Sequence, residues 1–260
     1  MGQNFLKSQA ALRKMGEVAQ ITDQDIVLEI GPGKGALTEK LLARAKLVLA
    51  VEKDRDLIGL LEEKFAAEID SGQFRLINDD ILTFQPEKHQ LKPYQYKVVA
   101  NIPYNITGAI FKKFLAEVIQ PQLMVLLVQK EVAERIVAKD GKESILSLSV
   151  KAYGNPKYMM KVQKRFFSPE PKVDSAIIAV TDISKSNFEN EIKEKEFFDL
   201  IKAGFAHKRK ILRQNLKKIQ KNSSQIDQTF NQLKIKPMTR AEDLKIETWL
   251  AISRLLSTDI

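Results

Sequence analysis

The segment Asp25-Ile-Val-Leu-Glu-Ile-Gly-Pro-Gly-Lys-Gly35 joins a short apolar run to three glycines at alternate positions. Residues 25–30 have the pattern of a buried strand, and residues 36–44 have the pattern of a helix. Glycines between a strand and a helix let the backbone approach a ligand closely. This strand, glycine loop and helix therefore predict the first unit of an α/β sheet with a ligand at the loop.

An acidic residue follows each of the next two predicted strands. Glu52 ends the strand 47–51 and lies 21 residues after Gly31, where a carboxylate can bind both hydroxyls of a ribose. Asp80 follows the strand 74–77, where it can accept a hydrogen bond from an adenine amino group or cap a turn. These residues predict a nucleoside cofactor. They do not identify it, because the glycine spacing with Ala36 also fits a nicotinamide dinucleotide.

The fourth predicted strand, residues 96–100, runs into Asn101-Ile-Pro-Tyr104. Asn101 and a backbone carbonyl can accept hydrogen bonds from an exocyclic amine, Tyr104 can stack on the ring that carries it, and Pro103 fixes the turn. The chemistry favours capture of a flat, amino-bearing group. The alternative is an ordinary strand-to-turn junction, in which Asn and Pro are common.

The remaining pattern predicts two domains. Helices are predicted at 9–20, 55–68, 107–118, 131–139 and 144–153, and further strands at 123–128, 158–164 and 175–181. This alternation predicts a doubly wound, mostly parallel sheet over residues 1–182. After a polar segment, helices predicted at 195–206, 208–221, 224–233 and 243–257 form a small all-helical domain, residues 183–260.

The composition restricts the possible chemistry and partners. The chain has 260 residues, no cysteine and only two histidines, which excludes thiolate catalysis and makes a metal site unexpected. No apolar run reaches the roughly 18 residues of a membrane helix, and the N-terminus lacks the pattern of a secretory signal, so we expect a cytoplasmic protein. We expect a monomer, since no feature requires more.

The formal net charge of +9 indicates a polyanionic partner. Between Lys202 and Lys221 there are eight Lys or Arg residues and no acid. We predict that this run contacts RNA phosphates, with a solvated helix face as the alternative. The candidate contacts are Lys208, Arg209, Lys210 and Arg213.

Six motifs occur in an order that resembles the ribosomal RNA adenine dimethyltransferases, a family with a Rossmann-like class I methyltransferase sheet and a small helical C-terminal domain. They are Gln3–Leu6, Glu29–Thr38, Asn101–Tyr104, Gln129–Arg135, Phe167–Ser175 and Arg240–Leu244. The segments Val173–Ser175 and Arg240–Leu244 favour the small-subunit members. The resemblance implies S-adenosylmethionine as cofactor and N6,N6-dimethylation of two adjacent adenosines in the 3′-terminal hairpin of 16S rRNA, in the immature small subunit.

The resemblance also implies roles for individual residues. Asn4 and Leu6 would border the methionine end of the cofactor, and Gly31 would contact it through its backbone. Glu52 would hold the ribose, Asp80 the adenine, and Asn101 would lie between cofactor and target base. The chemistry of the base adds the Pro103 carbonyl as a second acceptor, with Tyr104 and Phe167 as stacking partners. For Phe167 the alternative is core packing.

Three other functions remain open on the sequence. The nearest is the related enzyme that dimethylates one adenosine of 23S rRNA and confers macrolide resistance. A second is a non-catalytic RNA-binding assembly factor on the same fold. The third is a NAD-dependent dehydrogenase.

Overall fold

The computed structural model describes residues 4–217 and 223–256, and strands alternate with helices over most of the first 180 residues. The strands are β1 (Phe5–Leu6), β2 (Ile26–Ile30), β3 (Leu47–Glu52), β4 (Phe74–Asn78), β5 (Tyr96–Asn101), β6 (Leu123–Gln129), β7 (Asn155–Val162), β8 (Phe167–Ser168) and β9 (Ser175–Thr181). The helices are α1 (Gln9–Val18), α2 (Thr38–Leu42), α3 (Arg55–Lys64), α4 (Ala66–Asp70), α5 (Thr107–Ala116), α6 (Lys130–Val137), α7 (Ile145–Lys151), α8 (Glu191–Gly204), α9 (Leu212–Leu216), α10 (Ser223–Gln232) and α11 (Ile246–Leu256).

Seven strands form one sheet in the order β4-β3-β2-β5-β6-β9-β7. The first five are parallel, and β9 pairs antiparallel with both β6 and β7. The central strands are buried on both faces, as expected for parallel strands covered by helices. The α/β prediction is thus confirmed.

The chain order creates a switch point between β2 and β5. From β2 the chain moves outward to β3 and β4, and it then returns to place β5 on the other side of β2. The connections that follow β2 and β5 leave toward opposite sides of the sheet, which leaves a crevice at the carboxyl ends of these two strands. The glycine loop after β2 and Asn101 at the end of β5 both lie at this crevice.

A second, two-stranded sheet was not predicted. Strand β1 pairs antiparallel with β8, with Leu6 opposite Phe167 and Phe5 opposite Ser168. The amide of Lys7 extends this ladder by donating to the carbonyl of Phe166 at 2.7 Å. Residues 5–7 are thereby fixed beside a segment about 160 residues further on.

Several predicted boundaries change for identifiable reasons. The helix expected at 36–44 is limited to Thr38–Leu42, because the preceding glycines have positive φ and form turns. The helix expected at 55–68 is interrupted at Phe65, which has φ −115° and a buried side chain. Strand β7 begins at Asn155 rather than at residue 158, since Pro156 is tolerated at the edge of the sheet.

The division into domains also differs from the prediction of 1–182 and 183–260. The structure separates into two compact units, residues 1–133 with 154–183 and residues 134–153 with 184–260. Residues 134–153 join the second unit because they pack on its helices. Tyr153 stacks on Phe198 with ring centroids 5.8 Å apart, and the Glu143 amide donates to the Glu242 carbonyl at 2.8 Å.

In the described part of the second unit, helices and turns pack around an apolar core. Trp249, Phe197 and Leu212 are buried at its centre. A Cβ on Gly204 would lie 2.3 Å from the Trp249 ring, so only glycine allows the end of α8 to approach this closely.

Candidate active site

One cavity of about 670 Å³ opens at the carboxyl ends of β2, β3, β4 and β5. Its wall includes eight of the residues predicted from the sequence: Asn4, Leu6, Gly31, Glu52, Asp80, Asn101, Pro103 and Tyr104. The volume falls within the usual range for sites that bind small molecules and cofactors. The fold thus brings residues from five separate segments to one site.

The glycine loop forms the floor of this cavity. Gly33 has φ +59°, and a Cβ there would lie 3.0 Å from the Phe5 ring. Gly35 has φ +76°, and its Cβ would lie 2.5 Å from the ring of Phe65. Both positions therefore require glycine, for the backbone conformation and for space. Lys34 lies between them with its ammonium 5.1 Å from the centroid of the Phe5 ring.

Glu52 is held in place by three backbone amides. One carboxylate oxygen accepts from Gly33 at 3.2 Å, and the other accepts from Lys53 at 2.9 Å and Asp54 at 3.0 Å. The side chain is buried, so its orientation is fixed before any ligand arrives. An acceptor prepared in this way suits a pair of ligand hydroxyls.

Asp80 follows the neighbouring strand β4 and is more exposed than Glu52. One oxygen pairs with the Lys53 ammonium at 2.8 Å, and the other accepts from the Leu82 amide at 3.0 Å. The hydrogen bond from Lys53 lowers the pKa of this carboxyl, so Asp80 is an ionised acceptor at neutral pH. The neighbouring Asp54 caps α3 by accepting from the Asp56 amide.

Asn101 connects the sheet to the start of the chain. Its side-chain nitrogen donates to the Asn4 carbonyl at 3.3 Å, which fixes the residue that precedes β1. The amide oxygen has no hydrogen-bond partner among the described residues. The side chain is half-buried and lines the cavity, so this oxygen is available as an acceptor.

Pro103 and Tyr104 form the turn that leaves β5. Pro103 is exposed and has φ −59°, and the Tyr104 ring is half-buried at the cavity wall. The Tyr104 hydroxyl forms a 2.7 Å hydrogen bond with Ser175 at the start of β9, which anchors the ring. Desolvation raises the pKa of Tyr104, so the phenol is neutral at physiological pH.

The predicted stacking role of Phe167 is not met in this structure. Its side chain is 2% exposed and belongs to the same apolar core as Leu6 and Val162. The cavity wall does not include it. The β1–β8 pairing places Phe167 opposite Leu6, and both side chains pack in this core, although Leu6 also reaches the cavity wall.

The sequence interpretation missed Glu29 and Phe5, which also line the cavity. Glu29 is buried in β2, where its carboxylate accepts from the Thr38 hydroxyl at 2.7 Å. Burial raises its pKa to about 8, and the nearby Glu52 carboxylate adds to the rise. An acid within an otherwise apolar strand was the available signal for Glu29.

The predicted basic helix at 208–221 is corrected in part. Residues 206–211 form a turn, and the helix begins at Leu212, since Leu212 donates its amide to the Thr239 carbonyl at 2.8 Å. Lys208, Arg209 and Lys210 are exposed on this turn, whereas Arg213 pairs with Asp227. Residues 218–221 of that predicted helix, and residue 257 of the last predicted helix, lie outside the described residues.

Two general features concern metals and membranes. Within residues 4–217 and 223–256, no three His, Cys, Asp or Glu side chains come together as a metal site would require. None of the helices in the same part of the chain has the length and apolar character needed to cross a bilayer.

Comparison with known proteins gives a consistent result. The family described as "Ribosomal RNA adenine dimethylase" matches residues 1–258. A "Ribosomal RNA small subunit methyltransferase A" from Dehalococcoides mccartyi is 44% identical over 250 residues, which is 96% of this chain and 84% of the relative.

Two solved structures share the fold over almost the whole chain. A dimethyladenosine transferase from Plasmodium falciparum is 27% identical with a TM-score of 0.81, and 95% of each chain is covered. The 23S rRNA methyltransferase ErmE is 25% identical with a TM-score of 0.80, covering 97% of this chain and 99% of its own. With these matches and the cavity described above, the chain belongs to the ribosomal RNA adenine dimethylase family.

Proposed function

We propose that this protein uses S-adenosylmethionine to dimethylate N6 of two adjacent adenosines in the 3′-terminal hairpin of 16S rRNA, within the immature small ribosomal subunit. The observation that carries the proposal is the convergence of Gly31, Glu52, Asp80 and Asn101 on one cavity at the switch point. Family membership gives the reaction class. The 44% identity to a small-subunit methyltransferase favours the small-subunit RNA over 23S rRNA.

The hydrogen-bonding groups that line the cavity fit the proposed cofactor. Glu52 would accept the two ribose hydroxyls, Asp80 would accept from the adenine amino group, and the backbone at Gly31 would contact the cofactor. Asn4 and Leu6, which also line the cavity, would border its methionine end. S-adenosylmethionine supplies an activated methyl group on sulfur, so the protein needs no nucleophilic side chain of its own.

The residues after β5 would receive the target base. The free oxygen of Asn101 and the Pro103 carbonyl would accept from the adenine amino group and favour a more tetrahedral, more nucleophilic nitrogen. Tyr104, anchored on Ser175, would stack on the ring. A base must leave its helix to enter such a pocket, and holding it in line with the methyl donor would supply much of the rate acceleration.

The second unit would supply RNA affinity. Lys208, Arg209 and Lys210 are exposed on one turn, and the described residues offer them no ion-pair partner. They would bind phosphates without reading sequence. Arg213 is a weaker candidate for a phosphate contact, because its ion pair with Asp227 neutralises its charge. As part of the same proposal, the protein acts as a monomer in the cytoplasm, where small subunits mature.

The experiment is transfer of tritiated methyl groups to small ribosomal subunits that lack these modifications, followed by mapping of the modified bases. We expect two adjacent N6,N6-dimethyladenosines in the 3′-terminal hairpin. Labelling of 23S fragments instead would identify the large-subunit activity. Cofactor binding without transfer to either RNA would indicate a non-catalytic assembly factor.

The Asn101→Ala variant tests the site within this assay. We expect methyl transfer to fall at least a hundredfold, because an acceptor at the amine and the tie to Asn4 are both lost. Lys14→Ala, an exposed change on α1, is the matched control and should leave transfer unchanged. Wild-type activity and cofactor affinity in Asn101→Ala would contradict the assignment.

A further inference from the structure

An exposed aromatic ring lies next to the buried one that the sequence singled out. Phe166 is 37% exposed, whereas Phe167 is 2% exposed. The guanidinium of Arg165 lies 5.2 Å from the centroid of the Phe166 ring. An aromatic face beside a planar cation is the combination on which nucleic-acid bases stack.

The β1–β8 ladder relates this ring to the cavity. Phe166 is the last residue of a short 3₁₀ turn, Lys164–Phe166, that leads directly into β8, and its carbonyl accepts from the Lys7 amide one position beyond the Leu6–Phe167 pair. Phe5 lines the cavity. Two residues along a strand span about 7 Å, which is about two base-stacking steps of a nucleic-acid strand. Phe166 lies about this far along the ladder from Phe5, which corresponds to one or two nucleotides of a strand whose target base occupies the cavity.

The charges around Phe166 favour an anionic partner. The acids of this segment are already neutralised, since Glu170 pairs with Lys164 at 3.0 Å and Asp174 pairs with Lys161 at 2.9 Å. The exposed side chains of Lys7, Arg165 and Lys172 have no ion pair with a described residue. This patch thus has a surplus of positive charge around an apolar ring.

The backbone that carries Phe166 is fixed on both sides. Its amide donates to the Gln163 carbonyl at 3.1 Å, and its carbonyl accepts from Lys7 at 2.7 Å. The amide of Lys164 donates to the Asp174 carboxylate at 2.9 Å. Because the backbone is already ordered, stacking of a base costs only the side-chain freedom of the ring.

We propose that Phe166 and Arg165 form a stacking platform for an unpaired base that flanks the target adenosine, with Lys7 and Lys172 near its phosphates. The proposal rests on the RNA methylation proposed above and adds a second base contact outside the cavity. The platform would hold the strand open while the target base occupies the site. Phe166 is then the exposed aromatic residue of this segment that contacts RNA.

The test measures kcat and KM for small ribosomal subunits that lack the modification, with cofactor affinity determined separately by calorimetry. We expect Phe166→Ala to raise the KM for the subunits about tenfold, because stacking of a base on an aromatic ring is lost. The kcat and the cofactor affinity should stay at wild-type values. Leu60→Ala, a matched change at an apolar side chain that is 42% exposed, should have no effect.

Two replacements separate stacking from simple apolar packing. Phe166→Trp should restore the wild-type KM, whereas Phe166→Leu should resemble alanine. Arg165→Lys, which keeps the charge but not the planar group, should raise KM by a smaller factor.

Each outcome decides the proposal. A wild-type KM in Phe166→Ala, or full rescue by leucine, overturns the platform and leaves the methylation proposal intact. A lowered melting temperature with an unchanged KM assigns Phe166 to packing and also overturns it. Absence of transfer by the wild-type protein contradicts the methylation proposal itself, and the platform is withdrawn with it.

Discussion

Replacing Glu52 with glutamine separates binding of the cofactor from stability of the fold. The native carboxylate accepts three backbone hydrogen bonds, from Gly33, Lys53 and Asp54. Glutamine has one acceptor oxygen, which can keep the two bonds to Lys53 and Asp54. Its NH2 group then faces the Gly33 amide, so the longest of the three bonds is lost and two donors oppose each other.

The magnitudes follow from this count. Loss of one hydrogen bond to a charged group, with a donor left unpaired, costs about 1–3 kcal/mol in the free energy of unfolding. A domain of this size loses about 2–4 °C in melting temperature per kcal/mol. The affinity for the cofactor should also fall, since the ribose hydroxyls would face a neutral amide in place of a carboxylate. Loss of about 1.5–3 kcal/mol raises the dissociation constant roughly 10- to 150-fold.

Calorimetric titration with S-adenosylmethionine and S-adenosylhomocysteine measures the affinity, and thermal denaturation measures stability. Both ligands should weaken by the same factor, because they share the ribose. Glu39→Gln removes an exposed carboxylate that pairs with Lys64 and serves as the control. Binding by Glu52→Gln within twofold of wild type would refute the assignment of Glu52 to the ribose.

Three further predictions concern stability and RNA binding. The pKa of Glu29 is raised to about 8 from an ordinary value of 4.5, so its contribution to stability is complete below about pH 4.5 and is lost as the pH rises through 8. Glu29→Gln should remove this loss of stability. In denaturant titrations, the difference in free energy of unfolding between the variant and wild type should therefore shift in favour of the variant by a few kcal/mol from pH 5 to pH 9. Gly35→Ala should cost about 2–5 kcal/mol in the same measurement, from positive φ and from overlap with the buried Phe65 ring. Alanine at 208–210 should weaken RNA binding and reduce the slope of log affinity against log salt by about 2–3, with no change in cofactor affinity.

The cavity could be predicted because its residues follow local patterns. Gly31, Glu52, Asp80 and Asn101 each follow an apolar strand, and the carboxyl ends of parallel strands meet at one edge of the sheet. No contact between distant segments had to be known. The same holds for the α/β class, which depends only on the alternation of strands and helices.

Features that depend on distant pairing could not be predicted. Strands β1 and β8 have two residues each, too few for a periodic signal, and they are about 160 residues apart. Their pairing places Phe167 in the core beside Leu6, whereas Phe166 precedes the strand and stays exposed. Similarly, the basic run resembles a continuous helix, but the bond from Leu212 to Thr239 makes its first part a turn.

The tie between Asn101 and Asn4 has a consequence for which nucleobases the site accepts. Because the amide nitrogen is engaged with the Asn4 carbonyl, the amide cannot rotate to offer a donor without losing that bond. The side chain of Asn101 would therefore present only the lone pairs of its amide oxygen to the incoming base. An amino group at that position is attracted, whereas the keto oxygen of guanine, hypoxanthine or uracil would meet the lone pair directly. Discrimination between adenine and inosine would then be set by the hydrogen bond from Asn101 to the Asn4 carbonyl.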